Sequence, residues 1–245
     1  MTTRTKKRLL PIFLLLSILS FGQDEFDFDS DLEFESEVPI TFNSTRVISG
    51  HSVEVLPEKT FEMRIEHRFG DIAGLNGGVQ TMFGFDNVTD MRIALEYGVT
   101  KNLMLGFGRC KGTGVPYRSL VDGFVKYRFL EQVKDSMPVS LALIGGASFT
   151  YQKASPDISN VSHFPNVIHR FAYYTQLNLA RRFGKLLSVS IMPTLVHRNY
   201  VADMDLNTLL TLGGAMRFRL SKKFFFLTEY YHCFNGSSFR QQAYQ

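Results

Sequence analysis

The sequence predicts an all-β chain, an antiparallel up-and-down transmembrane β-barrel of about 10–12 strands when complete. Three observations carry that expectation. The strands alternate oil and charge with a period of two residues. Short and long connections alternate along the chain. An export-type leader precedes a chain in which no apolar run reaches the ~20 residues of a membrane helix.

The alternation is clearest in residues 61–70, FEMRIEHRFG. Phe61, Met63, Ile65, His67 and Phe69 fall on one face of an extended strand, and Glu62, Arg64, Glu66 and Arg68 on the other. Similar strands are predicted near 60–69, 91–99, 103–110, 121–130, 138–151, 169–182, 186–197, 207–219 and 223–233. Met91, Ile93, Leu95 and Tyr97 oppose Arg92, Ala94 and Glu96, while Val125, Tyr127 and Phe129 oppose Phe124, Lys126 and Arg128. Leu210, Leu212, Met216 and Phe218 oppose Thr211, Arg217 and Arg219.

Three tight turns resemble one another: YGVTKNLMLG, RRFGKLLSVS and FRLSKKFFFL. Longer polar connections near 70–90, 111–120, 152–168 and 198–206 separate them. A soluble sandwich has water at both ends and no reason for this asymmetry. An outer-membrane barrel has one, in its short periplasmic turns and long outer loops.

Residues 1–22 read as a signal peptide: Lys6, Lys7 and Arg8, then an apolar run from Leu9 to Leu19, then Ser20, Phe21 and Gly22 before the cut. Without them the chain holds 23 basic and 23 acidic residues. Residues 24–37, DEFDFDSDLEFESE, carry eight of those acids and no base, so 23–40 is expected to be an acidic disordered tail. Residues 41–245 then form the outer-membrane barrel domain, with an excess of basic charge. No basic cluster or stripe supports nucleic-acid binding. Cys110 and Cys233 could pair outside the cytoplasm, although neither spacing nor context demands it.

Counting strands raises a parity problem. Nine strands leave the two ends of the barrel on opposite sides of the membrane, whereas single-chain barrels usually have an even number. Either the true strand count differs from nine, or the sheet is incomplete without further sequence, as a chain truncated at its C-terminus would be.

Several stretches carry a resemblance: FNSTRVISGHSVEVL (42–56), RIEHRFG (64–70), MFGFDN (82–87), DGFVKYRFL (122–130) and MPTLVHRNYV (192–201). The chain resembles a Bacteroidota family of uncharacterised outer-membrane β-barrel proteins. That resemblance implies fold and location, and no substrate.

The search for chemistry gives little. His51, His67, His163, His169, His197 and His232 show no metal-ligand spacing, although His67 and His197 with Asp203 and Asp205 fall near one end of the barrel. Ser188 or Ser190 with His197 and Asn199 supply the residue types of a barrel-borne hydrolase. No catalytic, cofactor or metal residue is assigned, and the chain is read as a non-enzyme without cofactor. What remains is a charge ladder on the inward face: Glu62, Arg64, Glu66, Arg68, Arg92, Glu96, Lys126, Arg128, Arg217 and Arg219. Such charges must face inward, because each Arg or Lys facing lipid at the midplane would cost about 2–4 kcal/mol. They predict either a cross-strand salt-bridge lattice or a porin-like passive pore with weak preference for small anions. Outer-membrane lipid is the expected partner. A soluble exported β-sandwich that binds a ligand is the other alternative.

Overall fold

The structure is a computed structural model that describes residues 39–71, 77–86, 88–112, 118–203, 205–221 and 223–235. The expected signal peptide, the acidic tail as far as Val38 and everything after Asn235 lie outside the described residues.

Nine strands follow one another in a single antiparallel sheet. They are β1 (Phe61–Phe69), β2 (Val88–Gly98), β3 (Leu103–Lys111), β4 (Ser119–Leu130), β5 (Ser140–Thr150), β6 (Phe171–Phe183), β7 (Leu187–Arg198), β8 (Thr208–Arg219) and β9 (Phe225–Cys233). Every end lies within three residues of its expected position. The strands form where β-branched, aromatic and leucine residues alternate with polar ones, and they stop where the alternation stops. Each strand pairs with its successor, so every hydrogen-bonded neighbour comes from a local connection.

The connections keep their asymmetry. β6 and β7 are joined at one end by Gly184, Lys185 and Leu186, and Gly184 takes a φ of 58°, which suits a residue without a Cβ. At the other end, β5 and β6 are separated by residues 151–170, which close in a short 3-10 turn at Val167–Arg170. Pro193 interrupts the β6–β7 ladder, which lacks partners between Gln176↔Thr194 and Leu179↔Ile191 while keeping one register. A residue lacking an N–H cannot donate to a central ladder.

The two faces differ as a membrane requires. Phe61 is 73% exposed, and Met63, Ile65, Leu95, Phe107, Val125, Ile191 and Leu210 are also exposed on the outward face. Inward positions on β2, β4 and β6 hold Glu96, Lys126 and Asn178, each 0% exposed. Apolar side chains on the convex face of a sheet have no core of their own, so lipid is the solvent that suits them. A soluble sandwich would bury this oil between two sheets, and only one sheet is formed among the described residues.

β1 and β9 are both edges of the sheet, and no ladder joins them among the described residues. Cys110 on β3 and Cys233 on β9 are free thiols, so the two cysteines do not form the disulfide that an exported chain allows.

The core lies inside the curled sheet. One cluster joins Phe42, Val47 and Val53 to Ala142, Ala180, Met192 and Ala215, with Tyr231 packed against it. A second joins Leu56 to Met104, Phe124 and Ile144, with Val55 and Tyr174 alongside. Both clusters therefore place residues that precede β1 against the inner wall.

Candidate functional site: a hairpin inside the barrel

Residues 41–56 fold back into the space that the sheet encloses. Arg46 bridges His51 in antiparallel fashion, the Val47 amide donates to the Gly50 carbonyl at 2.9 Å, and the Ser52 amide donates to the Thr45 carbonyl at 3.0 Å. The result is a tight hairpin with its turn at residues 47–50. Thr41, Phe42, Thr45, Val47, His51, Ser52 and Val53 are all buried.

Buried backbone must find hydrogen-bond partners, and the strand side chains supply them. Lys126 Nζ on β4 donates to three hairpin carbonyls: Thr45 at 2.8 Å, Glu54 at 2.9 Å and Ser52 at 3.1 Å. That uses all three donors of an ammonium group. On the opposite side, the Glu229 carboxylate of β9 accepts from the turn amides of Ile48 at 3.1 Å, Ser49 at 3.3 Å and Gly50 at 3.0 Å. Successive amides in a turn make a concave anion nest, here filled by a side chain. Asn178 on β6 donates to the His51 carbonyl, and Arg182 donates to the Ile40 carbonyl at 3.0 Å.

Charge is matched in the same way. Glu96 on β2 accepts from the Thr45 hydroxyl at 3.2 Å and pairs with Arg46 at 3.5 Å and Arg64 at 3.8 Å. Arg64, on β1, also donates to Thr45 Oγ1 at 2.8 Å and to Ser44 Oγ at 3.2 Å. Arg128 pairs with Glu54 of the hairpin at 3.6 Å and with Glu131 at 2.6 Å. His51 Nε2 lies 3.1 Å from the Tyr174 hydroxyl. Burial, with Arg46 and Lys126 nearby, holds its imidazole well below the usual range, so the ring is neutral. Burial pushes the Glu54 carboxyl up, against the amides of Phe42 and Thr41, which pull it down.

The predicted ladder residues thus have several kinds of partner. Arg92 spans Glu66 at 2.8 Å and Asp122 at 2.6 Å, a cross-strand arrangement of the kind expected. Arg64 also pairs with Glu62 of its own strand. Glu96, Lys126 and Arg128 instead spend contacts on the hairpin. Arg217 donates to Asn43 Oδ1 of the hairpin segment, and both it and Arg219 lie over the Phe225 ring, at 5.0 and 5.8 Å. Arg68 is exposed at the far end of β1, opposite Asp90. Arg92→Ala, which strands Glu66 and Asp122 together, should lower unfolding stability in lipid or detergent by about 1–3 kcal/mol. Arg92→Lys should restore only part of the loss, because an ammonium cannot reproduce the guanidinium fork.

The enzyme and metal candidates are not brought together. Ser190 and His197 are seven residues apart on β7, about 23 Å at strand rise, and Ser188 is farther still. Asn199 donates to the Ile168 carbonyl, and His197 Nδ1 lies 2.8 Å from Thr208 Oγ1. His67 points outward from β1, and Asp205 accepts from Arg198 at 3.2 Å. Among the described residues, no three His, Cys, Asp or Glu side chains gather as metal ligands.

Sequence reasoning missed the hairpin. A signal was available: Ala94, Gly106, Ala142, Gly146, Ala180, Gly213 and Ala215 all stand at inward positions. A wall of small inward residues leaves a void that another part of the chain must fill.

The comparisons agree with this architecture. The profile of a family described as a membrane-bound beta barrel domain (DUF5777) matches residues 42–245. The chain belongs to this family. The match begins at Phe42, so it takes in the hairpin together with all nine strands. No curated protein and no solved structure matches the chain.

Proposed function

We propose that this chain is an outer-membrane β-barrel protein with a structural role, its lumen closed by its own N-terminal hairpin. The carrying observation is the burial of residues 41–56 against the inner wall through Lys126, Glu96 and Glu229. A pore needs a continuous wet path, whereas here the inward charges meet backbone carbonyls, amides and one another. The leader-like residues 1–22 and the alternating connections support export to the outer membrane. No enzymatic role is proposed, because the hydrolase residue types are separated along β7.

Passage of small anions remains the second reading, favoured by Arg64, Arg92, Lys126, Arg128, Arg217 and Arg219 on the inner face. It requires the hairpin to leave. The first test is fractionation of cells that make the chain. The expected result is an outer-membrane protein with a heat-modifiable gel band, and recovery as a soluble periplasmic protein would overturn the proposal.

A further inference from the structure

We infer that the acidic segment 24–37 of this same chain docks on a basic mouth formed by the ends of β6, β7 and β8. Arg182 on β6 is paired with Ser188 on β7, which is paired with Arg217 on β8, so the two guanidiniums flank one serine in a single inward row. Arg219 lies two residues farther toward the same end, its amide bonded to the Leu186 carbonyl at 2.8 Å. Arg182, Arg217, Arg219 and Ser188 are all buried, and Ser188 Oγ has no hydrogen-bond partner. Arg181, Lys185 and Lys223 belong to the same rim, and segments 179–191 and 213–228 contain no Asp or Glu.

The chain enters the barrel at this mouth. Arg182 holds the Ile40 carbonyl and Arg217 holds Asn43. Glu37 is three residues from Ile40, about 10 Å of extended chain. Every odd position from Glu25 to Glu37 is acidic: Glu25, Asp27, Asp29, Asp31, Glu33, Glu35 and Glu37. An extended backbone puts all seven carboxylates along one edge, with Phe26, Phe28, Leu32 and Phe34 on the other. Tethering at Ile40 gives this edge a millimolar-scale effective concentration at the mouth. Charge complementarity and the point of entry thus select residues 24–37 over an outside partner.

Carbodiimide cross-linking of the folded chain that starts at Gln23 tests the docking, since it joins only carboxylates and lysines in contact. At an ionic strength of about 20 mM, peptides from 24–37 should be joined to Lys185 or Lys223, and about 1 M salt should suppress the product several-fold. Products spread equally over Lys101 and Lys134, which sit at the same end beyond β2 and β4, would overturn the inference. So would their absence. A second readout is cleavage by a glutamyl protease. Residues 24–37 in the folded chain should be cut about tenfold more slowly than in a synthetic 23–40 peptide at low salt, and equal rates would count against docking. If vesicles containing phosphatidylglycerol bind the chain equally well with or without residues 24–37, the mouth belongs to lipid phosphate instead.

Discussion

Lys126→Met should loosen the hairpin and destabilise the folded protein by about 3–5 kcal/mol, the range for removing one member of a buried charged network. The residue is fully buried, and its ammonium satisfies the carbonyls of Thr45, Ser52 and Glu54 at once. Methionine fills similar volume yet donates nothing, leaving three carbonyls without that partner and leaving Glu54 to Arg128 alone and Glu96 to Arg46 and Arg64. Denaturant unfolding in detergent measures the loss. Protease digestion separates local from global effects: new cleavage within 41–56 of a chain whose strands stay protected would show that the hairpin is released first. An unchanged midpoint would mean that Lys126 does not hold the hairpin.

The second large effect is expected at Gly50, at the tip of the turn. A Cβ there would run into the Tyr231 hydroxyl and approach Glu229 Oε2 at 3.3 Å. Gly50→Val must therefore push away the carboxylate that caps three turn amides and the tyrosine that accepts from Gln176 at 2.8 Å. Overpacking and the loss of charge-assisted hydrogen bonds together should cost about 3 kcal/mol or more. The conservative double change Gly50→Ala with Tyr231→Phe should recover part of that loss by removing the hydroxyl from the clash. If Gly50→Val matches the parent chain in unfolding midpoint, the turn does not sit against β9.

Gly50 also shows what the hairpin does for the fold. β1 and β9 do not pair. Arg64 of β1 holds Ser44 and Thr45, and Glu229 of β9 holds Ile48 to Gly50. A segment of only a few residues thus links the two edges of the sheet from inside.

The strands and their faces were legible because a period of two residues is written directly in the chain. FEMRIEHRFG separates Phe61, Met63 and Ile65 from Glu62, Arg64 and Glu66, and those are the outward and inward sets observed. The tight Lys-bearing turns and long polar connections were equally visible. Partners were not. Periodicity says which face a charge occupies, but not what fills the space in front of it. Glu62, Glu66 and Arg92 were expected to find partners on neighbouring strands; Glu66 and Arg92 pair across β1 and β2, whereas Glu62 pairs with Arg64 of its own strand. Lys126 was expected to join the same lattice, yet its ammonium donates to hairpin carbonyls. Segment 42–56 itself gives no regular stripe, because Phe42, Val47 and Val53 reach the wall from a turn-rich chain with no repeating period.

The central claim is that this hairpin closes the lumen. Single-channel recording in planar bilayers, on the folded chain and on a variant lacking residues 41–56, tests it most directly. The full chain should give no discrete conductance steps. The deletion variant should give steps with a reversal potential favouring anions, because Arg64, Arg92, Lys126, Arg128, Arg217 and Arg219 then line a wet wall. Steps of equal size from both proteins would contradict the claim and return the chain to the class of open pores.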